Sequence, residues 1–273
     1  MMKKFFAMLT ILCMLCLTAS APAEEAIPLS EVEPKVTYKI ELQRMLRIGP
    51  DEGGATNHYK VQQGSCTDGK YGYFVLESQK DYQCAIFKVD LETWTVVDKK
   101  YNIDIDHGND LTYNAKRGQI VAIHNKPNNQ LLSFIDPETL EVVETIKLDM
   151  RMYAIGYCEA RDQYVVGLSG GFQHVILDAE FNVLDFVMGV DTGLVRQGVD
   201  CDEKYIYFPQ CAENNSVNQI VVYDWEGNHV NTVKVSAFQE IESMFHVDDT
   251  TYIAFNASGG YIYRAAMKAV DPQ

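Results

Sequence analysis

The sequence predicts an all-β protein, a five-bladed β-propeller closed by its own N-terminal strand. Three observations lead there: a Gly-centred segment that recurs, an Asp-led turn that recurs with it, and one unmatched alternating strand ahead of the first copy. "QGSCTDGKYGYF" at 63–74 and "QGVDCDEKYIYF" at 197–208 share Gln-Gly, an Asp before the turn, Lys-Tyr and a closing Tyr-Phe. The same marker recurs at Gly108 and Gly156, and Glu242 takes the place in a fifth copy, "IESMFHVDDTTYIAF". The turns carry Asp90, Asp136, Asp178 and Asp224, spaced by 46, 42 and 46 residues. A period of this length with four short strands per copy is the signature of propeller blades.

Taken from the N-terminus, residues 1–23 put Lys3 and Lys4 ahead of an apolar run that ends in Ala-Pro-Ala, the pattern of a cleaved secretory signal. The run is too short and wrongly flanked for a spanning helix. Export to a secreted or extracytoplasmic location is therefore expected, with no membrane span. Residues 24–35 are rich in Glu and Pro and read as a loose leader. Residues 36–273 form the single propeller. In "VTYKIELQ", Val36, Tyr38, Ile40 and Leu42 alternate with polar residues, which marks a strand with one buried face. The fifth copy ends after its third strand, "GGYIYRAAM", so this N-terminal strand is expected to supply the missing outer one and cover an aggregation-prone edge.

In the fourth copy an inner strand follows Gly198, and further strands are expected at 205–208, 219–223 and 230–235. The 16 Tyr and 12 Phe residues fall mostly at strand positions that face neighbouring blades, where ring packing is expected. The Asp residues of the turns read as turn formers bonding their own backbone.

A formal net charge of -15 repels phosphate backbones and anionic lipid, which excludes nucleic acid as a partner. Of seven cysteines, Cys13 and Cys16 leave with the signal. The remaining Cys66, Cys84, Cys158, Cys201 and Cys211 are either small buried hydrophobes or include one bridge, for which Cys201 and Cys211 are the candidate pair. No paired Cys-x-x-Cys spacing, phosphate loop, nucleophile elbow or zinc-protease motif occurs, and no cofactor is expected. Asn-x-Ser matches at Asn214 and Asn256 matter only in a eukaryotic secretory route.

In a propeller the inner strands converge on a central channel, and the residues at their starts are expected to ring one mouth of it. The candidate ligand-binding residues there are Gln63, His107, Asn109, Asp110, Tyr157, Arg196, Gln197, Asp200 and Glu242. "DHGNDLTYN" concentrates Asp106, His107, Asn109 and Asp110. A His beside carboxylates could be a general base, a metal ligand or a donor to a sugar or peptide; alternatively Asn109 and Asp110 cap the strand and His107 is solvated. A cation, Ca²⁺ for instance, held by Asp110 and Asp200 across the channel is a further possibility.

Residues from Gln197 to Tyr263, through "QGVDCDEKYIY", "NQIVVY", "EIESMFHVDDTTYIAF" and "YIYR", resemble the C-terminal part of the helveticin J family of secreted bacteriocin-type proteins. That resemblance implies a secreted propeller acting by antagonism or cell-envelope binding, with no catalytic residue to carry over. "QQGSCTDGKYGYFVLESQ" followed by "IFKVDLETWTVV" resembles the first blade of the plant and bacterial glutaminyl cyclases. It implies, at Gln63, Gly64 and Glu77, an enzyme that cyclises N-terminal glutamine with Glu77 as proton shuttle. Gln79 and Lys80 stand where that family has Thr-Gly. The function expected is therefore non-enzymatic binding of an extracellular glycan, peptide or cell-envelope component at the channel mouth, with glutaminyl cyclase chemistry as the alternative.

Overall fold

A computed structural model describes residues 26–49 and 56–270. The signal segment 1–23 lies outside the described residues. The chain is all-β and propeller-like: three four-stranded antiparallel sheets and one nine-stranded sheet, with a single helical turn at Leu29–Glu31 among the described residues. The three small sheets are meanders: β2 to β5 (Tyr59–Thr67, Tyr71–Ser78, Cys84–Asp90, Thr95–Ile103), β6 to β9 (Asp110–Asn114, Gln119–Ile123, Leu131–Ile135, Val142–Lys147) and β10 to β13 (Met152–Cys158, Gln163–Leu168, Gln173–Asp178, Val183–Met188). Each turns at an Asp, as the repeat predicts, but the marker does not always open the first strand: Gly108 precedes β6, whereas Gly64 and Gly156 lie within β2 and β10.

The nine-stranded sheet holds the last two copies. One comprises β14 and β15 (Val195–Arg196 and Asp200–Cys201), then β16 to β18 (Tyr205–Cys211, Asn218–Asp224, His229–Val235). The other comprises β19 to β21 (Glu240–Val247, Thr250–Asn256, Gly260–Ala269). Strand β1 (Tyr38–Ile48) joins them. It runs antiparallel to β21, with Tyr38 opposite Ala269, and parallel to β18, with Lys39 opposite Lys234. Tyr38 and Ile40 are buried on the predicted face, and the open edge is covered as expected.

The leader departs from expectation. Ile27 bridges Met267, Leu29 and Val32 are buried in the cluster around Tyr205 and Tyr207, and the Tyr205 hydroxyl donates to the Val32 carbonyl. Apolar side chains at 27, 29 and 32 outweigh the Glu and Pro content, so residues 27–32 are docked rather than loose.

The core lies in seams between successive sheets. Tyr73, Val75 and Ile86 pack on Leu111, Ile120 and Ile135; Val121, Ile123 and Phe134 pack on Ile155, Tyr164 and Val166. Ile176 and Val165 meet Ile206 and Phe208, and the ring closes where Phe74 and Leu76 meet Phe245 and Ile262. Ten of the largest fully buried side chains are Tyr or Phe, which bears out their reading as packing residues. The turn aspartates also behave as read: Asp90 and Asp136 each accept two backbone N–H bonds from their own turns.

All five described cysteines are free and buried. Cys201 and Cys211 do not bridge. Cys201 sits opposite Ile206 and Cys211 opposite Val195, so they are separated by most of the length of β16, on the order of 16 Å at the usual rise per strand residue. Burial pushes the thiols of Cys66, Cys84 and Cys201 well up and that of Cys211 up to about 11, which makes them unreactive packing groups.

Candidate functional site: a sealed channel and an acidic funnel

The Gly markers bring the inner strands into backbone contact. A Cβ on Gly64 would stand 2.5 Å from Asp110 Cα and Leu111 N, and one on Gly198 would stand 3.2 Å from Asp110 Oδ1. Only residues without a side chain allow that approach. Around this level polar groups stitch the strands together. Asp110, 1% exposed, accepts from its neighbour Leu111 N through Oδ1 (3.0 Å) and from Ile155 N and Val199 N through Oδ2 (3.0 Å each). Ser65 and Ser243 share a 2.7 Å hydroxyl bond, and Ser243 also donates to the Gln63 carbonyl. The channel is plugged at the marker.

The nine predicted site residues are therefore divided. Gln63, Asn109 and Asp110 are buried in the plug or beside it; Asn109 Nδ2 donates to the Tyr153 carbonyl and its Oδ1 accepts from Asn125. On the side before the markers, His107 Nδ1 lies 2.7 Å from Glu77 Oε1. Gln197 Nε2 donates to Glu240 Oε1, and the fully buried Glu242 bonds to Glu240. Burial, and then the neighbouring Glu240 charge, push the Glu242 carboxyl well above the usual range. Arg196 is buried on this same side, between the third and fourth copies, with Tyr153 and Phe208.

Tyr157 and Asp200 lie on the other side of the plug. Past the markers the strands diverge into a funnel of about 430 Å³, whose lining starts at Ser65, Leu111, Tyr157, Val199 and Met244, each one to three residues beyond the marker position. Its walls carry Asp68, Glu159, Asp200, Asp202, Glu203 and Asp248, and no Lys or Arg. Asp68 and Asp202 occupy the same place in the two matching repeats. Each caps its hairpin through two backbone N–H bonds and accepts from the Tyr hydroxyl five residues on, Tyr73 or Tyr207. Tyr157 donates to Asp162.

His246 provides the one positive group in the funnel. Its Nδ1 is 2.8 Å from Asp200 Oδ2, and the Asp200 charge raises its pKa to about 9 against the cost of burial. A histidine whose folded pKa is raised contributes stability in full below its unfolded value and loses it as pH rises through the folded one. His246 retains 34% side-chain exposure, so screening reduces the effect. His246→Gln is expected to lower unfolding free energy by about 1–2 kcal/mol at pH 6 and to be neutral at pH 10. Urea midpoints at the two pH values check this; an equal loss at both would remove the ion pair as the cause.

The residues that sequence reasoning missed are His246, which follows the fifth marker by four positions, and the wall carboxylates at 68, 159, 202, 203 and 248. Asp68 and Asp202 were visible as a repeated position, but that repetition speaks for a turn and hides the shared orientation toward a cavity.

The bridging cation considered between Asp110 and Asp200 does not fit. Asp110 has both oxygens on backbone donors, Asp200 is held by Cys201 N and His246, and among the described residues no three His, Cys, Asp or Glu side chains are grouped to hold a metal. Among the described residues no helix is long and apolar enough to cross a membrane.

No family model matches the sequence, and no curated protein does. Among solved structures, a calcium-binding protein, regucalcin, from Agrobacterium tumefaciens is similar in fold: 10% identity over 86% of this chain and 96% of that one, TM-score 0.54. A protein of unknown function from Bacteroides caccae aligns at 14% identity over 63% of this chain and 66% of that one, TM-score 0.46. The first likeness shows the propeller-like fold and nothing finer.

Proposed function

We propose that this chain is an exported five-bladed propeller that binds a positively charged extracellular ligand, a basic peptide segment, in the funnel beyond the plug. The blade count takes the nine-stranded sheet as two blades joined by β1, added to the three separate sheets. Export rests on the Lys pair, apolar run and Ala-Pro-Ala of residues 1–23. The observation that carries the ligand is a cavity of about 430 Å³ walled by six carboxylates with no Lys or Arg. Against these six the one positive group is His246, paired with Asp200, so low-dielectric walls focus a net negative field, which concentrates and orients cations and selects against anionic glycans. Tyr113, Tyr157 and Phe245 add ring surface for the aliphatic and cationic parts of such a segment. The calcium binding named for regucalcin supplies no further support, because the carboxylates of the funnel are spread around its wall and not grouped.

The exposed wall residues test this without touching the core. Glu159→Gln with Glu203→Gln is expected to weaken binding of a Lys/Arg-rich peptide about tenfold and to flatten its salt dependence, with the melting temperature unchanged. Peptide arrays probed with residues 24–273 provide the ligand, and equal binding of acidic and basic peptides would end the proposal.

The Glu77–His107 pair at 2.7 Å favours a second reading, the cyclase chemistry implied by the first-blade resemblance. Ammonia release from a glutaminyl peptide, abolished in Glu77→Gln, is its expected result. Release that persists in that variant, or none from the native protein, excludes it.

A further inference from the structure

We infer that the cleft between the third and fourth copies, on the side before the markers, is a binding site for a carboxylate attached to an apolar body, with the Arg196 guanidinium as its receptor. The cleft has a volume of about 390 Å³ and is lined by Arg196, Tyr153 and Lys126 together with Phe172, Leu194 and Val195. Arg196 is 8% exposed. Its plane lies 3.8 Å above the Phe208 ring centroid, and Nη1 donates to the Gln173 carbonyl at 3.2 Å. Nε and Nη2 have no hydrogen-bond partner.

Those two nitrogens project N–H bonds from the same edge of the guanidinium, the edge that grips a planar carboxylate through two parallel hydrogen bonds. A buried guanidinium that lacks a counter-ion is costly, because its desolvation is uncompensated. Among the described residues Arg196 forms no salt bridge; burial lowers its pKa, and the neighbouring Tyr153 and Tyr223 oppose that only in part. His174, nearby, cannot supply or compete for charge: burial lowers its pKa to about 3, so it is neutral. The Tyr153 hydroxyl is also buried without a partner.

The fixed cation, the buried and unpartnered fork and the apolar walls thus lack one complementary piece, an incoming carboxylate with a hydrophobic substituent. The plug separates this cleft from the funnel, so the assignment holds or fails independently of the basic-peptide reading.

Benzoate is a suitable probe, benzamide its uncharged counterpart and inorganic phosphate a tetrahedral oxyanion. With ¹⁵N-labelled protein at constant ionic strength, benzoate is expected to shift the Arg196 Nε–H resonance saturably, while benzamide leaves it in place. Arg196→Lys keeps the charge and loses the fork, so it is expected to weaken benzoate binding at least tenfold. If benzoate does not move the resonance, or benzamide moves it equally, the assignment is overturned. Saturation by phosphate but not by benzoate overturns the carboxylate class. The native-protein comparison decides the matter even where Arg196→Lys does not fold.

Discussion

Asp110→Ala is expected to cost about 3–5 kcal/mol of unfolding free energy, among the largest effects of any single polar substitution in this chain. The reason is geometric. One carboxylate holds an amide of its own strand and the amides of Ile155, inside β10, and Val199, between β14 and β15, on the inner segments of the next two copies. Truncation leaves the latter two N–H groups buried with no acceptor in a region where Gly64 and Gly198 have already excluded the space for a replacement side chain. Burial pushes the Asp110 pKa well above the usual range, the Asp200 charge adds to the rise, and the three N–H donors oppose it. Asp110→Asn keeps one acceptor and turns an NH₂ toward amide donors, so it is expected to fall between the native protein and Asp110→Ala. Equilibrium urea unfolding measures both, and a loss under about 1 kcal/mol for Asp110→Ala contradicts the plug.

Gly64→Ala is the second large effect. The added methyl would sit 2.5 Å from two backbone atoms of the adjoining strand, and backbone cannot swing aside as a flexible side chain can. The first and second sheets must separate there, which also strains the Gly64 N–H bond to the Gly108 carbonyl. A destabilisation of at least about 3 kcal/mol is expected, against the modest gain that Gly→Ala brings where space permits. Calorimetric melting of the variant checks it; a melting temperature at or above that of the native protein would mean the strands do not meet at this point.

These two residues show what was legible in the sequence. The repeat fixes strand order, the boundaries of the three four-stranded sheets and the closing role of residues 38–48, because alternation and turn chemistry are local properties that a period makes conspicuous; it does not show that the last two copies share one sheet. The site was only half legible. Copies aligned on the marker put Gln63, His107 and Gln197 one step before it, Tyr157 one step after it, Asp110 and Asp200 two steps after it and Glu242 in its place, and that closeness suggested a single ring. In the structure the marker glycines draw the backbones so close that residues one step before and one step after face opposite sides of a seal. His107 and Gln197 therefore stand with Glu77, Glu240 and Glu242, whereas Tyr157 and Asp200 open into the funnel with His246. The pairing of His246 with Asp200 joins residues 46 positions apart and carries no local signature. The fold of residues 27–32 was misread for a related reason: Leu29 and Val32 find their partners in the fourth and fifth copies, far away in the chain.

The sealing of the channel is the claim on which the placement of both sites depends, and amide hydrogen exchange tests it directly in the native protein. The amides of Ile155 and Val199 are bonded to a buried carboxylate and enclosed between strands, so they are expected to exchange only through global unfolding, as slowly as amides at the centres of β3 and β16. Exchange of these two amides within minutes, while β3 and β16 stay protected, would show water at the marker level and an open channel, contrary to the account.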